Sequence, residues 1–165
     1  MPDIIEQTAK KWLEERGVTC EAIAELVLFL QKDYIKDLTT EKCLDSIHHV
    51  LAKREVQNAI ITGIALDRLT EKGAIPEPLL DMLKRDESLY GVDEVIALSI
   101  VNVYGSIGFT NYGYIDKMKP GILKRLNDKS TGECHTFLDD IVGAIAAAAS
   151  SRLAHSVNNT QNLDH

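Results

Sequence analysis

Apolar residues recur along this chain at helical intervals, and alternation of apolar and polar positions is never sustained. Asp3, with Glu6 three residues on, has the spacing of a capping box. Ile5, Ala9, Trp12 and Leu13 then form a stripe that Gly17 ends. A second helix follows Thr19 and is apolar on most sides through residues 23–30, which predicts deep packing. From Thr39 or Thr40 a pattern carried by Leu44, Ile47 and Leu51 loses phase near Lys53 and resumes with Ile60, Ile64 and Leu69 before Gly73. It reads as one bent helix or two. Pro76 and Pro78 open a short helix through Leu83. The segment 95–101 has no polar face, so it is expected to lie at the centre of a bundle. Gly105 and Gly108 are read as breaks, a helix carries Tyr114 to Asp116, and Pro120 begins another through Leu126. The last helix is expected from Phe137 to about residue 154. The prediction is an all-α, single-domain helical bundle over residues 1–155 with a buried central helix, and a disordered tail at 156–165.

The chain has 165 residues, 45% of them hydrophobic and 26% charged, which suits one domain with its own core. A net charge of −7 would repel a phosphate backbone, so nucleic acid is not an expected partner. Cys20, Cys43 and Cys134 are odd in number and have no metal or redox spacing, and the N-terminus does not read as a signal peptide; a reducing cytosol is the expected compartment. The longest apolar stretches, 95–101 and 141–149, fall short of the roughly 18 residues of a membrane span. Membrane contact is expected to be peripheral at most, and a homo-oligomer stays open.

Against this background two acid pairs stand out, because each has apolar neighbours on both sides. Asp93 and Glu94 lie between Val92 and Val95, and Asp139 and Asp140 between Leu138 and Ile141. Acids in a first turn favour the helix dipole, and Asp93 could be an N-cap. Their recurrence suggests more, since several carboxylates close together are costly unless a cation neutralises them. An oxygen-only cluster suits Mg²⁺, or Mn²⁺, with Asp116 supplying a further oxygen from a third helix. Neighbours on a helix diverge by about 100°, so each pair is expected to give one ligand and one supporting group. The cations Lys119, Lys124 and Arg125, close behind Asp116, are the expected contacts to a phosphate. His48 and His49 are read as surface residues. Cys134 and His135 lack a third, orienting group and are not read as a nucleophile and its base.

In order and spacing, Val92-Asp93-Glu94-Val95-Ile96-Ala97, then Tyr114-Ile115-Asp116-Lys117-Met118-Lys119-Pro120, then Leu138-Asp139-Asp140-Ile141-Val142-Gly143 resemble the core of the phosphatidylglycerophosphatase A family over residues 90–150. The resemblance implies a Mg²⁺-dependent hydrolase of a phosphate monoester, phosphatidylglycerophosphate or a related phosphorylated lipid. It implies catalytic roles for Asp93, Glu94, Asp116, Asp139 and Asp140, with Asp93, Glu94, Asp116 and Asp140 holding the metal and Asp139 the candidate general base. The first 70 residues lack that family's Gly- and Pro-rich stretch and apolar spans. Gly113 stands where the family often has Arg, and His135 and Thr136 alter the approach to Asp139. Two other readings are a non-catalytic helical module that binds a phosphorylated ligand or a protein partner, and an all-α nucleotide pyrophosphohydrolase. The second needs acids at i, i+3 on paired helices, which are not found.

Overall fold

The structure, a computed structural model, describes residues 3–161. Among the described residues there are nine α-helices and no strand: α1 (Ile4–Glu15), α2 (Cys20–Gln31), α3 (Thr40–Leu51), α4 (Arg54–Glu71), α5 (Leu79–Lys84), α6 (Val92–Val101), α7 (Ser106–Met118), α8 (Ile122–Leu126) and α9 (Leu138–Gln161). Local chemistry sets the boundaries. Asp3 accepts the Ile5 N–H, Thr19 that of Ala22 and Thr39 that of Lys42, so α1, α2 and α3 begin on side-chain caps. The long pattern after Thr39 resolves into two helices, α3 and α4, that part at residues 52–53.

The central helix is α9, not the 95–101 segment. Helices α2, α3, α4, α6, α7 and α8 all pack on α9, and every residue from 137 to 151 is buried. Its run of alanines, Ala144 and Ala146 to Ala149, is fully enclosed, because small side chains let neighbours approach from all sides. By contrast α6 packs on α4, α7 and α9 along one side, burying Ala97, Ile100 and Val101 and leaving Val95 63% exposed. Hydropathy gave 95–101 no polar face, yet the alanine helix filled the centre because it offers the smallest radius.

Two smaller expectations also change. Gly108 does not break the chain: it lies inside α7, where an added Cβ would come within 3.0 Å of Val101, so its small size serves packing. Helix α9 continues to Gln161, since nothing in 156–161 is a helix breaker and a packed helix propagates. Residues 162–165 of the expected tail lie outside the described residues. No helix among the described residues is long and apolar enough to cross a membrane.

Helix α4 braces the N-terminal half. Arg16 pairs with Glu71, and Arg68 lies 4.6 Å over the Trp12 ring and bonds Glu15. Gly63 of α4 faces Phe137 and Ile141, so α4 lies close against the start of α9.

Candidate functional site: a carboxylate cleft at three helix ends

Three helix ends meet in one cleft of about 210 Å³, lined by Asp93 and Glu94 from α6, Asp116 and Lys119 from the end of α7, and Asp139 and Asp140 from α9. Each is placed by local backbone. Gly91, with φ 75, turns the chain into α6, so Asp93 lies in the first turn rather than at the cap. Lys119 ends α7 in the left-handed region, φ 48, and its ammonium turns back to donate to Asp116 at 2.8 Å and Asp139 at 3.4 Å. On α9 the Asp140 N–H donates to Asp139 Oδ1 at 2.8 Å, and the Tyr112 hydroxyl donates to Asp140 Oδ1 at 3.1 Å. Both members of each acid pair line the cleft.

The electrostatics follow from crowding and burial. Asp139 and Asp140 are 7% and 6% exposed. Burial, then Asp139 and a hydrogen-bonded Asp93, push the Asp140 carboxyl up to about 10. Asp139 is raised by burial to about 6, held down by Lys119. Burial would lower the Lys119 ammonium, but Asp116 and Asp139 outweigh it and raise it. The arrangement holds negative charge in excess of the ammonium that balances it.

Not every expected residue arrives here. Arg125 instead donates to the carbonyls of Arg16 and Gly17, tying α8 to the end of α1. Lys124 lies on the exposed side of α8, because Leu123 and Leu126 take the buried side. Neither lines the cleft. His48 and His49 are exposed near the end of α3. Burial raises the Cys134 thiol, the wrong direction for a thiolate nucleophile, and the His135 ring nitrogen Nε2 is engaged by Glu133 at 2.8 Å.

Other residues enter that the sequence did not single out. Asp86, in the loop after α5, reaches the cleft wall with φ 50. It and Lys119 are the non-glycine residues with positive φ among the described residues, and both line the cleft. Each closes a helix, Asp86 the end of α5 and Lys119 the end of α7, where a left-handed residue is a common cap. Asp67 of α4, 1% exposed, accepts the Phe137 and Leu138 N–H groups at 3.0 Å each, capping α9 from another helix. Burial outweighs those two bonds and pushes its carboxyl up to about 7. The signal was present: Asp67 follows Ile64, Ala65 and Leu66 inside an apolar helix. Asp86 gave no such signal.

A second cavity, of about 330 Å³, adjoins the cleft and shares Asp86, Asn127 and Asp139 with it. Among the described residues no three His, Cys, Asp or Glu side chains already stand in a metal-holding arrangement. The ammonium of Lys119 lies between Asp116 and Asp139. As a donor set, hard carboxylate oxygens with an excess of charge fit a small divalent cation.

Comparison with known proteins gives one consistent set of relatives. The model of the family described as phosphatidylglycerophosphatase A matches residues 11–155. The chain is 69% identical over 157 residues to the uncharacterized protein YutG of Bacillus subtilis (strain 168), covering 95% of each. Of solved structures, the low temperature requirement C protein from Listeria monocytogenes is 61% identical with a TM-score of 0.94, over 96% of this chain and 99% of that one. A protein of unknown function from Bacillus stearothermophilus is 72% identical with a TM-score of 0.90, over 92% and 94%.

Proposed function

This chain belongs to the phosphatidylglycerophosphatase A family, a phosphatase family, and from that membership and the cleft we propose that it is a Mg²⁺-dependent phosphomonoesterase acting on phosphatidylglycerophosphate or a related phosphorylated lipid. The observation that carries the reading is the convergence of Asp93, Glu94, Asp116, Asp139 and Asp140 from three helix ends in one cleft, where the Lys119 ammonium pairs with Asp116 and Asp139. Carboxylates grouped in one cleft are costly without a cation, and the cleft, of about 210 Å³, has room for a phosphate group.

Asp93, Glu94, Asp116 and Asp140 would hold Mg²⁺, or Mn²⁺ in its place. When bound, the ion supplies a polarised water of lowered pKa and neutralises phosphoryl charge. The protein's own groups do the rest. Lys119, already turned into the cleft by its backbone, donates to a phosphoryl oxygen and holds the group in place. Asp139 accepts a proton from the attacking water; its displacement to about 6 sets it near the working pH of a general base. Tyr112 keeps Asp140 oriented through its hydroxyl. A phosphorylated lipid would present its phosphate to the cleft at a membrane surface.

The test is a phosphate-release screen over lipid, sugar and nucleotide monophosphates, with and without millimolar Mg²⁺, using wild type and Asp140→Asn. Release that needs Mg²⁺ and is lost in Asp140→Asn is the expected result. Tight binding of one phosphorylated ligand with no turnover of any substrate would replace this reading with a non-catalytic phosphate-binding module.

A further inference from the structure

We infer that the second cavity is the subsite for the alcohol that leaves in the reaction, and that Asp86 at its threshold selects alcohols bearing a further hydroxyl group. The inference rests on the phosphomonoesterase reading and adds to it a specificity-determining residue.

The first argument is continuity. Hydrolysis joins a water oxygen to phosphorus and breaks the P–O ester bond. One water proton ends on the departing alcohol, and the rest of the water stays on phosphate. Attacking and leaving oxygens lie roughly in line, so a phosphoryl group in the cleft needs adjoining space for its alcohol. The 330 Å³ cavity provides such a space, with Asp86, Asn127 and Asp139 as common wall.

The second argument is the lining. Lys84, Lys129 and the Asn127 amide offer donors, while Asp86 and Thr136 offer acceptors. The Thr136 hydroxyl hydrogen is committed to the Leu83 carbonyl at 2.8 Å, so its oxygen can only accept, and it already meets the Cys134 sulfur at 3.6 Å. Asp86 faces Lys129 across 3.4 Å. An alkyl chain entering here would strip water from these groups and return no hydrogen bond. A hydroxyl group both donates and accepts, and so matches both kinds of wall.

Third, the end of α5 fixes Asp86 in place: its N–H bonds the Leu83 carbonyl and the Glu87 N–H the Met82 carbonyl, a left-handed helix cap at φ 50. The cap sets the backbone and puts the carboxylate in the wall that the cleft and the cavity share.

The experiment measures kcat/KM for glycerol phosphate, propyl phosphate and p-nitrophenyl phosphate in millimolar Mg²⁺, for wild type, Asp86→Asn and Asp86→Gly, with melting temperatures alongside. Wild type should prefer glycerol phosphate over propyl phosphate by tenfold or more. In both variants that ratio should fall to within threefold of one, while Asp86→Gly melts no lower than wild type. A ratio that persists in both variants, or a wild type that turns over p-nitrophenyl phosphate without distinguishing the two alkyl esters, overturns the inference and leaves the phosphatase reading standing. Wild type that hydrolyses none of the three overturns the inference, and the phosphatase reading is then decided by the lipid arm of the phosphate-release screen.

Discussion

Alanine at Gly63 and at Gly143 should move stability in opposite directions, although both glycines sit in helices that meet at the core. At Gly63 an added Cβ would lie 2.2 Å from Ile141 Cδ1 and 3.1 Å from Phe137 Cβ. Carbon atoms approach favourably only to about 3.5–4.0 Å, so the first contact is more than 1 Å too short. Ile141 can rotate, but it and Phe137 are fully buried, and rotation drives the methyl into filled space. The second contact cannot rotate away, because a Cβ moves only with its backbone. Overpacking of this kind costs about 1–3 kcal/mol, against the roughly 1 kcal/mol by which alanine favours a helix over glycine. The net is a loss of about 1 kcal/mol, or some 2–4 °C in melting temperature for a chain of this size. At Gly143 the nearest atoms would be Ile115 Cγ2 at 3.6 Å, Tyr112 Cε2 at 3.8 Å and Leu123 Cδ1 at 3.9 Å, ordinary contacts, so the helix gain of about 0.5–1 kcal/mol should survive. Scanning calorimetry on the two variants reads the sign directly. Because Phe137 immediately precedes the turn that carries Asp139 and Asp140, Gly63→Ala should also lower phosphate release more than Gly143→Ala does. A Gly63→Ala protein as stable as wild type, or the two variants shifting together, would refute the reasoning.

If Mg²⁺ binds only the native cleft, millimolar metal should raise the melting temperature of wild type and not of Asp140→Asn, because a native-state ligand adds RT ln(1 + [L]/Kd); equal shifts by differential scanning fluorimetry would exclude a site at Asp140. Lys119→Ala should weaken inhibition by inorganic phosphate tenfold or more yet keep the metal-induced shift, whereas Asp116→Asn should lose both; retained phosphate inhibition in Lys119→Ala would remove the clamp. Asp67 gives a pH dependence: its folded carboxyl is raised to about 7 from an ordinary 3.8, so the native state binds the extra proton. Its contribution is fully present below about 4, declines as pH rises to about 7 and is then flat, a change of at most about 4 kcal/mol. Urea unfolding at pH 5 and pH 8 should therefore show wild type gaining on Asp67→Asn at the lower pH, and a gap that does not change with pH would count against it.

The fold class and most helix boundaries were legible because caps, glycines and prolines act locally: Asp3, Thr19 and Thr39 do what their neighbours in sequence dictate. The grouping of Asp93, Glu94, Asp116, Asp139, Asp140 and Lys119 in one cleft was also foreshadowed: Asp93, Asp139 and Asp140, acids with apolar neighbours, are buried, although Glu94 lines the cleft while staying exposed. What the sequence could not convey depends on partners distant in the chain. Which apolar helix takes the centre is decided by packing radius, and the alanines of α9 outcompete the larger residues of α6 only in three dimensions. Lys124 and Arg125 seemed suitable by charge and proximity, but the turn at Gly121 and the burial of Leu123 and Leu126 direct them elsewhere. Asp67 reaches its two N–H partners across some 70 positions of chain. Asp86 sits in a loop where an aspartate is unremarkable until its φ is known.

The enclosure of α9 has a bearing on biosynthesis. The ribosome makes this helix after every helix that packs on it, more than a hundred residues after α2 begins. At about 5–20 residues per second, the emerging N-terminal helices wait on the order of ten seconds for the surface that covers them. During that interval Ile23, Val27, Ile47 and Ile60, all buried in the finished protein, are open to chaperones and to one another. Nascent chains arrested before residue 138 should therefore be protease-sensitive and bound by trigger-factor-like holdases, and those arrested once α9 has cleared the exit tunnel should become resistant in a single step.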